Sequence, residues 1–370
     1  MPRRVLQLGL DRSSDRQGEL NIVLQVPHTT TSLGRCLTGR HIYYVLRTQS
    51  LISAWRVARW DARDGTEFSV RRRISEPLTD TPDIQQAHPD GEKGTARACA
   101  RKGINMAISS FANYPIKAIR DAGLSVGPIK HAIQMYTLKD RDLELKIIRE
   151  AEAQGCSAIF LTADSPVLGV RYNEWRNDFR TPDGLDLPIF GWDSEKIRKQ
   201  THDDSFVALN DDTHNWNRDI PWLRSVTKME IWIKGVLTAE DTLKAVEMGC
   251  DGIIVSNHGG RQLDGVASTL DVLQECAEAA NGRLRIHVDG GIRSGTDIFI
   301  ALALGAEHVW VGRPALWGLA YAGEKGVDLM LNTLHNEFLQ VMQLSDCNSV
   351  RDITKACLGV VRSDGPLARL

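Results

Sequence analysis

The chain has 370 residues, 42% hydrophobic and 25% charged, and its 45 basic and 47 acidic side chains give a formal charge of −2. This composition is typical of a soluble globular protein, and the near balance of charge favours neither a nucleic acid nor a membrane as a partner. No apolar run approaches the roughly 18 residues that span a bilayer, and no secretory leader follows Met1. The seven scattered cysteines form no Cys-x-x-Cys pair and are expected to be reduced thiols.

The first 86 residues have no clear architecture. Strand-like fragments at Ile22–Val26 and Ile42–Leu46 and several arginine-rich stretches occur there, without a sustained helical or alternating period. We therefore predict an atypical, poorly specified N-terminal region over residues 1–86. A single large domain is predicted over residues 87–370.

From about residue 88 the sequence repeats one pattern: an amphipathic stretch, a glycine and a short apolar run rich in β-branched residues. This order is typical of a helix, a C-terminal glycine and a buried parallel strand. Helices are predicted at Ala96–Lys102, Asp140–Gln154, Ala239–Met248 and Asp297–Leu304. Strands are predicted at Asn105–Ser109, Ala132–Tyr136, Ala158–Thr162, Ile231–Lys234, Gly252–Ser256, Arg285–Asp289 and His308–Val311.

Polar residues stand at the ends of nearly all these strands, whereas an open sheet would concentrate them at one switch point. They are Ser109, Ser110, Gln134, Tyr136, Thr162, Asp164, Lys234, Ser256, His258, Asp289, Gly312 and Arg313. This distribution predicts an α/β fold of the TIM (β/α)8 barrel type, with one strand unaccounted for. That strand should lie shortly before Ala87, where Arg73–Gln86 contains no apolar run. The irregular stretch Arg176–Asp219 is predicted to be a lid over the active-site face.

The strongest motif is Ser256–Asp264, directly after an apolar strand. It contains His258 and Arg261, which suit the removal of a proton from an anionic substrate: imidazole titrates near neutrality, and a guanidinium pairs bidentately with a carboxylate. The glycines between them allow a ligand to approach the backbone. The simpler alternative is a polar turn with a hydrogen-bonded histidine.

Two further motifs together predict a phosphate site. Asp289-Gly290-Gly291-Ile292-Arg293 follows one strand, and Gly312-Arg313 follows the last. Backbone amides of glycine-rich turns, a helix N-terminus and two arginines bind phosphate, and barrels commonly build that site after strands seven and eight. Each motif alone would equally fit a turn with a salt bridge.

Four other residues are weaker candidates. Lys234 ends an apolar strand, where an inward lysine needs an anionic partner, unless it extends to the surface. Asp164 could orient His258 as in a triad or could simply cap a helix or turn. Gln134 and Tyr136 could serve the site or pack in the core. The sequence has no metal-ligand spacing and no Walker-type loop, so a metal hydrolase or a kinase is disfavoured.

With these motifs in place, residues 87–370 resemble the FMN-dependent 2-hydroxy acid oxidases and dehydrogenases, a family that includes glycolate oxidase, lactate oxidase, mandelate dehydrogenase and the lactate-oxidising flavocytochrome. The resemblance depends on the order and spacing of Ala87–Glu92, Ser109-Ser110, Gln134-x-Tyr136, Thr162-x-Asp164, Arg171, Lys234-Gly235, Ser256–Asp264, Asp289–Arg293 and Gly312-Arg313. It implies an FMN-binding barrel that oxidises a small (S)-2-hydroxy acid to the 2-oxo acid.

The resemblance also assigns roles. Lys234 would stabilise negative charge near N1 of the reduced flavin. The implied flavin and ribityl contacts are Ser109, Gln134, Thr162, Lys234 and Ser256, and the ribityl and phosphate contacts are Asp289, Gly290, Gly291, Ile292, Arg293, Gly312 and Arg313. Arg171 and Arg261 would hold the substrate carboxylate, Tyr136 would hydrogen-bond the substrate, and His258, held by Asp164, would accept a proton. Electrons would pass to oxygen or another acceptor, and a homo-oligomer, often a tetramer, is implied.

The chain departs from the family at its start and near the substrate. The family's first barrel strand ends in a Pro-Thr-Ala-Met-like loop, and Thr81–Gln86 replaces it here. The alternative is therefore a catalytically impaired or misassembled barrel, and we hypothesise that residues 35–86 are an unspliced intron, which sequencing the transcript would test. Phe111 stands where glycolate oxidase has a tryptophan. The closing Ala368-Arg369-Leu370 resembles the Ser-Lys-Leu peroxisomal address, so a peroxisomal or cytoplasmic location is expected.

Overall fold

Eight parallel strands follow one another in chain order around one sheet and alternate with helices. The computed structural model describes residues 43–46, 76–77, 84–179, 181–198, 209–361 and 368–369. The predicted (β/α)8 barrel is confirmed. Its strands are β2 (Glu76–Pro77), β3 (Met106–Ser109), β4 (His131–Met135), β5 (Ala158–Thr162), β6 (Glu230–Val236), β7 (Gly252–Val255), β8 (Arg285–Val288) and β9 (His308–Val309).

The helices cover the outside of the sheet. They are α1 (Gly91–Lys102), α2 (Ile116–Leu124), α3 (Arg141–Ala153), α4 (Tyr172–Arg176), α5 (Ser194–Arg198), α6 (Trp216–Val226), α7 (Ala239–Glu247), α8 (Thr269–Ala280), α9 (Gly295–Ala303) and α10 (Arg313–Leu344). Their ends follow local chemistry. The Asp140 side chain caps α3 by accepting two backbone N–H bonds, and Gly103 closes α1 in the left-handed conformation at φ 66°. α10 bends at Ala322–Gly323, where the backbone leaves helical geometry.

The first barrel strand lies in the segment where the sequence required it, although it has no apolar signature. Glu76 and Pro77 of β2 pair in parallel with Met106 and Ala107 of β3. A strand of two residues, one of them proline, produces neither an apolar run nor an alternation, so a hydrophobic pattern could not reveal it. The unspliced-intron hypothesis for residues 35–86 stays a prediction.

One of the two strand-like fragments before residue 86 lies among the described residues. Tyr43–Leu46 does form a strand, β1, but it pairs antiparallel with β10 (Leu358–Val361). β10 also pairs with β11 (Ala368–Arg369), so these strands make a separate small sheet. Tyr43–Leu46 is therefore not the missing barrel strand. Ile22–Val26 lies outside the described residues.

Several element boundaries also differ from prediction, among them the following two. The C-terminal part of the predicted lid Arg176–Asp219 belongs to α6, because the Asn215 side chain accepts a bond from the Arg218 N–H and starts the helix there. The predicted strand at His308–Val311 pairs over His308–Val309 alone. None of the helices in the described part of the chain is both long and apolar enough to cross a bilayer.

The barrel interior is filled in layers by every second residue of the strands, as their period of two requires. One cluster of buried side chains fills its middle: Ala107, Ala132, Ala158, Phe160, Trp232, Ile254 and Trp310. His287 stacks on Trp232 with ring centroids 4.0 Å apart, and its Nδ1 accepts the Trp310 indole N–H at 2.9 Å. Burial lowers the pKa of His287 well below its ordinary value, so it serves here as a neutral acceptor.

One position next to this cluster requires glycine. A Cβ on Gly252 would lie 2.1 Å from the Trp232 ring, which is far inside van der Waals contact. We expect Gly252→Ala to lower the free energy of unfolding by about 1–3 kcal/mol, since overpacking a filled core forces the ring to shift. Urea unfolding of this variant beside Gly127→Ala, whose new Cβ would lie 3.3 Å from the Ala100 carbonyl oxygen, measures the difference. Equal midpoints for the two variants would contradict the packing argument.

Candidate functional site

A layer of polar side chains continues the inward-facing positions to the carboxyl ends of the strands. The Ser109 hydroxyl donates to Gln134 Oε1 at 3.3 Å, and Gln134 Nε2 donates to Thr162 Oγ1 at 2.9 Å. All three residues are buried. Burying polar groups without hydrogen bonds is costly. These two hydrogen bonds, which link β3, β4 and β5, therefore fix each side chain in one orientation.

Lys234 belongs to the same layer. It lies in β6 directly beside Thr162 of β5, and its side chain is 1% exposed. Its Nζ lies 3.9 Å from the carboxylate of Asp289, which follows β8. A buried ammonium requires an anionic or strongly hydrogen-bonding environment, and the alternative of a lysine extending to the surface is excluded by its burial.

His258 and Asp164 come together as predicted, although they lie on the loops after different strands. The Nδ1 of His258 lies 2.6 Å from Asp164 Oδ1. The Ser165 hydroxyl donates to the same carboxylate oxygen at 2.9 Å and lies 3.1 Å from Nδ1. Because Nδ1 faces the carboxylate, proton exchange with a ligand falls to Nε2.

The backbone around His258 is strained in the manner of functional sites. Its φ is +56°, a region that non-glycine residues seldom adopt. The backbone N–H of His258 donates to Ser256 Oγ at 3.1 Å, and this bond stabilises the turn. Gly259 and Gly260 follow with φ +63° and +72°, so the chain turns immediately after β7 and the imidazole is held at the barrel mouth.

Gln262 was not singled out by sequence reasoning, although it lies inside the strongest motif. Its Nε2 donates to the Asp164 and Val167 carbonyl oxygens at 3.2 and 2.8 Å, and its Oε1 accepts the Gly169 N–H at 2.9 Å. These three bonds tie the loop after β5 to the loop after β7. Ser165, directly after Asp164, was likewise not predicted. Ser165 and Gln262 gain their partners only because the two loops approach each other.

The predicted arginine pair meets at an unpredicted carboxylate. Arg171 precedes α4, Arg261 follows the turn of His258, and both lie near one oxygen of Glu174. Glu174 Oε1 is 3.5 Å from Arg171 Nη1 and 3.9 Å from Arg261 Nη2. The two guanidiniums can therefore hold a single carboxylate between them.

The glycine-rich turn after β8 faces the arginine that begins α10. Gly290 and Gly291 have φ of +86° and +80°, a conformation that favours glycine. Arg313 donates to the Gly259 carbonyl oxygen at 2.7 Å. Burial, and then the charge of Arg313, lower the pKa of Arg293 from its ordinary value, so an anion between the two guanidiniums would relieve their repulsion.

Some of these groups line one open cleft at the barrel mouth, whereas Asp164, Arg171 and Glu174 lie outside its lining. Its lining residues are Lys234, His258, Gly259, Arg261, Asp289, Gly290, Gly291, Ile292, Arg293, Trp310, Val311, Gly312 and Arg313. Tyr136 is buried beside the polar layer, where its ring meets Phe111 edge to face with centroids 5.8 Å apart. Within the described residues, no three His, Cys, Asp or Glu side chains cluster as metal ligands.

The chain is similar to one protein family and to several curated relatives. The profile of the FMN-dependent dehydrogenases matches residues 84–360. Glycolate oxidase 3 of Arabidopsis thaliana is 46% identical over 76% of this chain and 77% of its own. The 2-hydroxyacid oxidase 1 of Homo sapiens is 43% identical over 77% of this chain and 78% of its own.

Solved structures agree with these relatives. Mandelate oxidase with (S)-2-phenylpropionate is 33% identical and superposes with a TM-score of 0.68 over 80% of this chain and 79% of that chain. A mandelate oxidase variant solved with an FMN adduct gives a TM-score of 0.67 at 33% identity over 78% of this chain and 79% of that chain. Since these relatives are oxidases, the comparisons give no support to the alternative of an impaired barrel.

Proposed function

This chain belongs to the family of FMN-dependent dehydrogenases, and from that premise we propose that it oxidises a small (S)-2-hydroxy acid to the 2-oxo acid, with FMN as its cofactor. The observation that carries the proposal is the contact of His258 Nδ1 with Asp164 Oδ1 at 2.6 Å, beside two arginines that share one carboxylate. This places a base next to an anion clamp in a barrel mouth that suits a flavin.

The cleft fits FMN on its own chemistry. The buried chain of Ser109, Gln134 and Thr162 offers fixed donors and acceptors to the flavin ring, and the buried Lys234 offers a positive charge. Ser256 and Asp289 complete this polar layer. The Gly290-Gly291 turn with Arg293, Gly312 and Arg313 supplies amides and guanidiniums for the phosphate. FMN held there would supply the two-electron acceptor that the reaction needs, with oxygen or another acceptor as the final destination of the electrons.

The substrate is held by its charge. Arg171 and Arg261 bind the carboxylate in the position that Glu174 Oε1 marks, and Tyr136 hydrogen-bonds the substrate. The two guanidiniums fix one end of the bound hydroxy acid, so the binding energy of the carboxylate is used for positioning.

His258 carries the proton transfer. Whichever substrate hydrogen leaves as a proton is accepted at Nε2, because Nδ1 faces Asp164. The negative carboxylate stabilises the imidazolium that forms, and Ser165 and Gln262 hold the loop that carries this carboxylate. The substrate loses two hydrogens and two electrons in all: one hydrogen is the proton that His258 accepts, and the other leaves with the electron pair, as hydride or as a second proton beside the two electrons, toward the bound acceptor, which gives the 2-oxo acid.

Product formation tests the proposed reaction. The FMN-loaded enzyme is incubated in air, with and without an added electron-accepting dye, with the separate enantiomers of lactate or with glycolate, and the 2-oxo acid is trapped with a hydrazine reagent. We expect 2-oxo acid from at least one small substrate, with (S)-lactate preferred over the (R) enantiomer. Absence of any 2-oxo acid, although FMN is bound, would refute the proposed reaction.

Arg261→Lys tests the carboxylate clamp. Lysine keeps the charge but cannot form the bidentate pair, so we expect KM for the hydroxy acid to rise by about tenfold or more, with a smaller loss in kcat. Arg149→Lys makes the same exchange at a surface arginine whose side chain is 59% exposed, and it should leave both constants unchanged. An unchanged KM in Arg261→Lys would remove this residue from the clamp.

The finer assignments extend the proposal. We propose that residues 87–370, completed by the strand Glu76–Pro77, form the FMN-binding barrel, that the rest of residues 1–86 forms an N-terminal region, and that the enzyme is a homo-oligomer. Ala368-Arg369-Leu370 is proposed as a peroxisomal address. A fluorescent protein that carries the last ten residues should concentrate in peroxisomes, and diffuse fluorescence would contradict the address.

A further inference from the structure

Glu174 lies between the two arginines that the proposed function assigns to the substrate carboxylate. We propose that Glu174 is an internal competitor of the substrate: its carboxylate occupies the clamp when no substrate is bound and must leave it when substrate enters. This inference depends on the proposed function, because it concerns the affinity of the same clamp for carboxylates.

The geometry supports competition rather than a surface ion pair. A single oxygen, Oε1, faces both Arg171 Nη1 and Arg261 Nη2, at 3.5 and 3.9 Å. The Arg171 side chain is 11% exposed, and Glu174 and Arg261 are each 30% exposed. A substrate carboxylate offers the same charge and the same oxygen donors, so it seeks the position that Glu174 already holds.

The location of Glu174 allows it to leave. It belongs to α4, a helix of only five residues in which none is buried and which ends where the predicted lid begins. Contacts at these distances are longer than a charge-assisted hydrogen bond, which measures about 2.7–2.9 Å. A bound substrate can therefore make closer contacts than Glu174 does, and the glutamate can turn toward solvent.

The expected consequence is a limit on substrate affinity. Exposed and half-exposed ion pairs contribute modestly, so removal of the competing charge should tighten carboxylate binding by about three- to tenfold. The gain should shrink at high ionic strength, because salt screens the charge of Glu174.

The test is Glu174→Gln in the FMN-loaded enzyme, with acetate as a carboxylate that cannot be oxidised. Acetate is titrated against the visible absorbance of the flavin at low and high salt, and KM and kcat are measured with the best hydroxy acid. We expect a lower Kd for acetate and a lower KM, with kcat changed less than KM. Asp178→Asn removes an equal charge four positions along the same segment and should leave the acetate Kd unchanged.

Two results would overturn the proposal. An acetate Kd equal to that of the unmodified enzyme would show that Glu174 does not compete, and a raised Kd would show that it orients the arginines for the substrate instead. Acetate binding is independent of turnover. A chain that binds acetate but oxidises no hydroxy acid would therefore contradict the proposed reaction while still testing Glu174.

Discussion

Replacing His258 with alanine should lower the rate of substrate oxidation by about 100-fold or more and leave FMN bound. The His258 imidazole lines the cleft, and its Nδ1 lies 2.6 Å from Asp164 Oδ1. Its Nε2 is therefore the nitrogen left to accept the substrate proton. Without it, the proton of the hydroxy acid passes to water, which is neither positioned nor basic enough to substitute.

The measurement is anaerobic stopped-flow reduction of the flavin by substrate in the purified variant. The acetate Kd should stay within a few-fold of the unmodified enzyme, because Arg171 and Arg261 are intact. The matched control is His335→Ala, which removes a histidine of α10 that does not line the cleft. This variant should reduce its flavin at the normal rate. A normal rate in His258→Ala would show that another group is the base.

Lys234→Met should weaken FMN binding by about tenfold to a hundredfold, the range expected when a hydrogen bond to a charged group is lost. Methionine has a similar length and fits the buried space, but it leaves the Asp289 carboxylate, 3.9 Å away in the native chain, without the lysine charge. The negative charge of the reduced cofactor also loses its counter-charge, so the reduction potential of any bound FMN should fall.

Dialysis against FMN-free buffer, followed by fluorescence titration with FMN, gives the dissociation constant, and equilibration with a reference dye gives the potential. The melting transition separates loss of the cofactor from loss of the fold: the FMN-free variant should still unfold cooperatively, at a lower temperature than the FMN-free parent because Asp289 has lost its counter-charge. Retention of FMN with an unchanged potential would remove Lys234 from the flavin site.

Most strands of this barrel could be predicted from the sequence, because strands that are buried on both faces appear as continuous apolar runs. Ala158–Thr162 is buried throughout and is predicted with its boundaries correct. β2 is different, because its two residues contribute backbone pairing and no apolar run, so its position follows from counting strands and not from its composition. The helices α2 and α8 were not among the predicted repeats, because Ser125–Val126 and Asn281 separate them from the following glycines, so the pattern is less regular there.

The residues at the strand ends were predictable because parallel strands bring their carboxyl ends together. This brings Asp164 to His258 and Lys234 to Asp289. The loop contacts were not predictable: a Cβ on Gly169 would lie 2.2 Å from the Arg261 carbonyl oxygen, so two loops approach at backbone distance. No one-dimensional pattern encodes that approach, and the partners of Gln262 and Glu174 depend on it.

The visible spectrum of the purified FMN-loaded protein under argon, before and after addition of glycolate or L-lactate, tests the central claim most directly. We expect the flavin absorbance to bleach on addition of the hydroxy acid and to return when oxygen or another acceptor is admitted. A flavin spectrum that persists with both substrates would contradict the assignment of this site to 2-hydroxy acid oxidation.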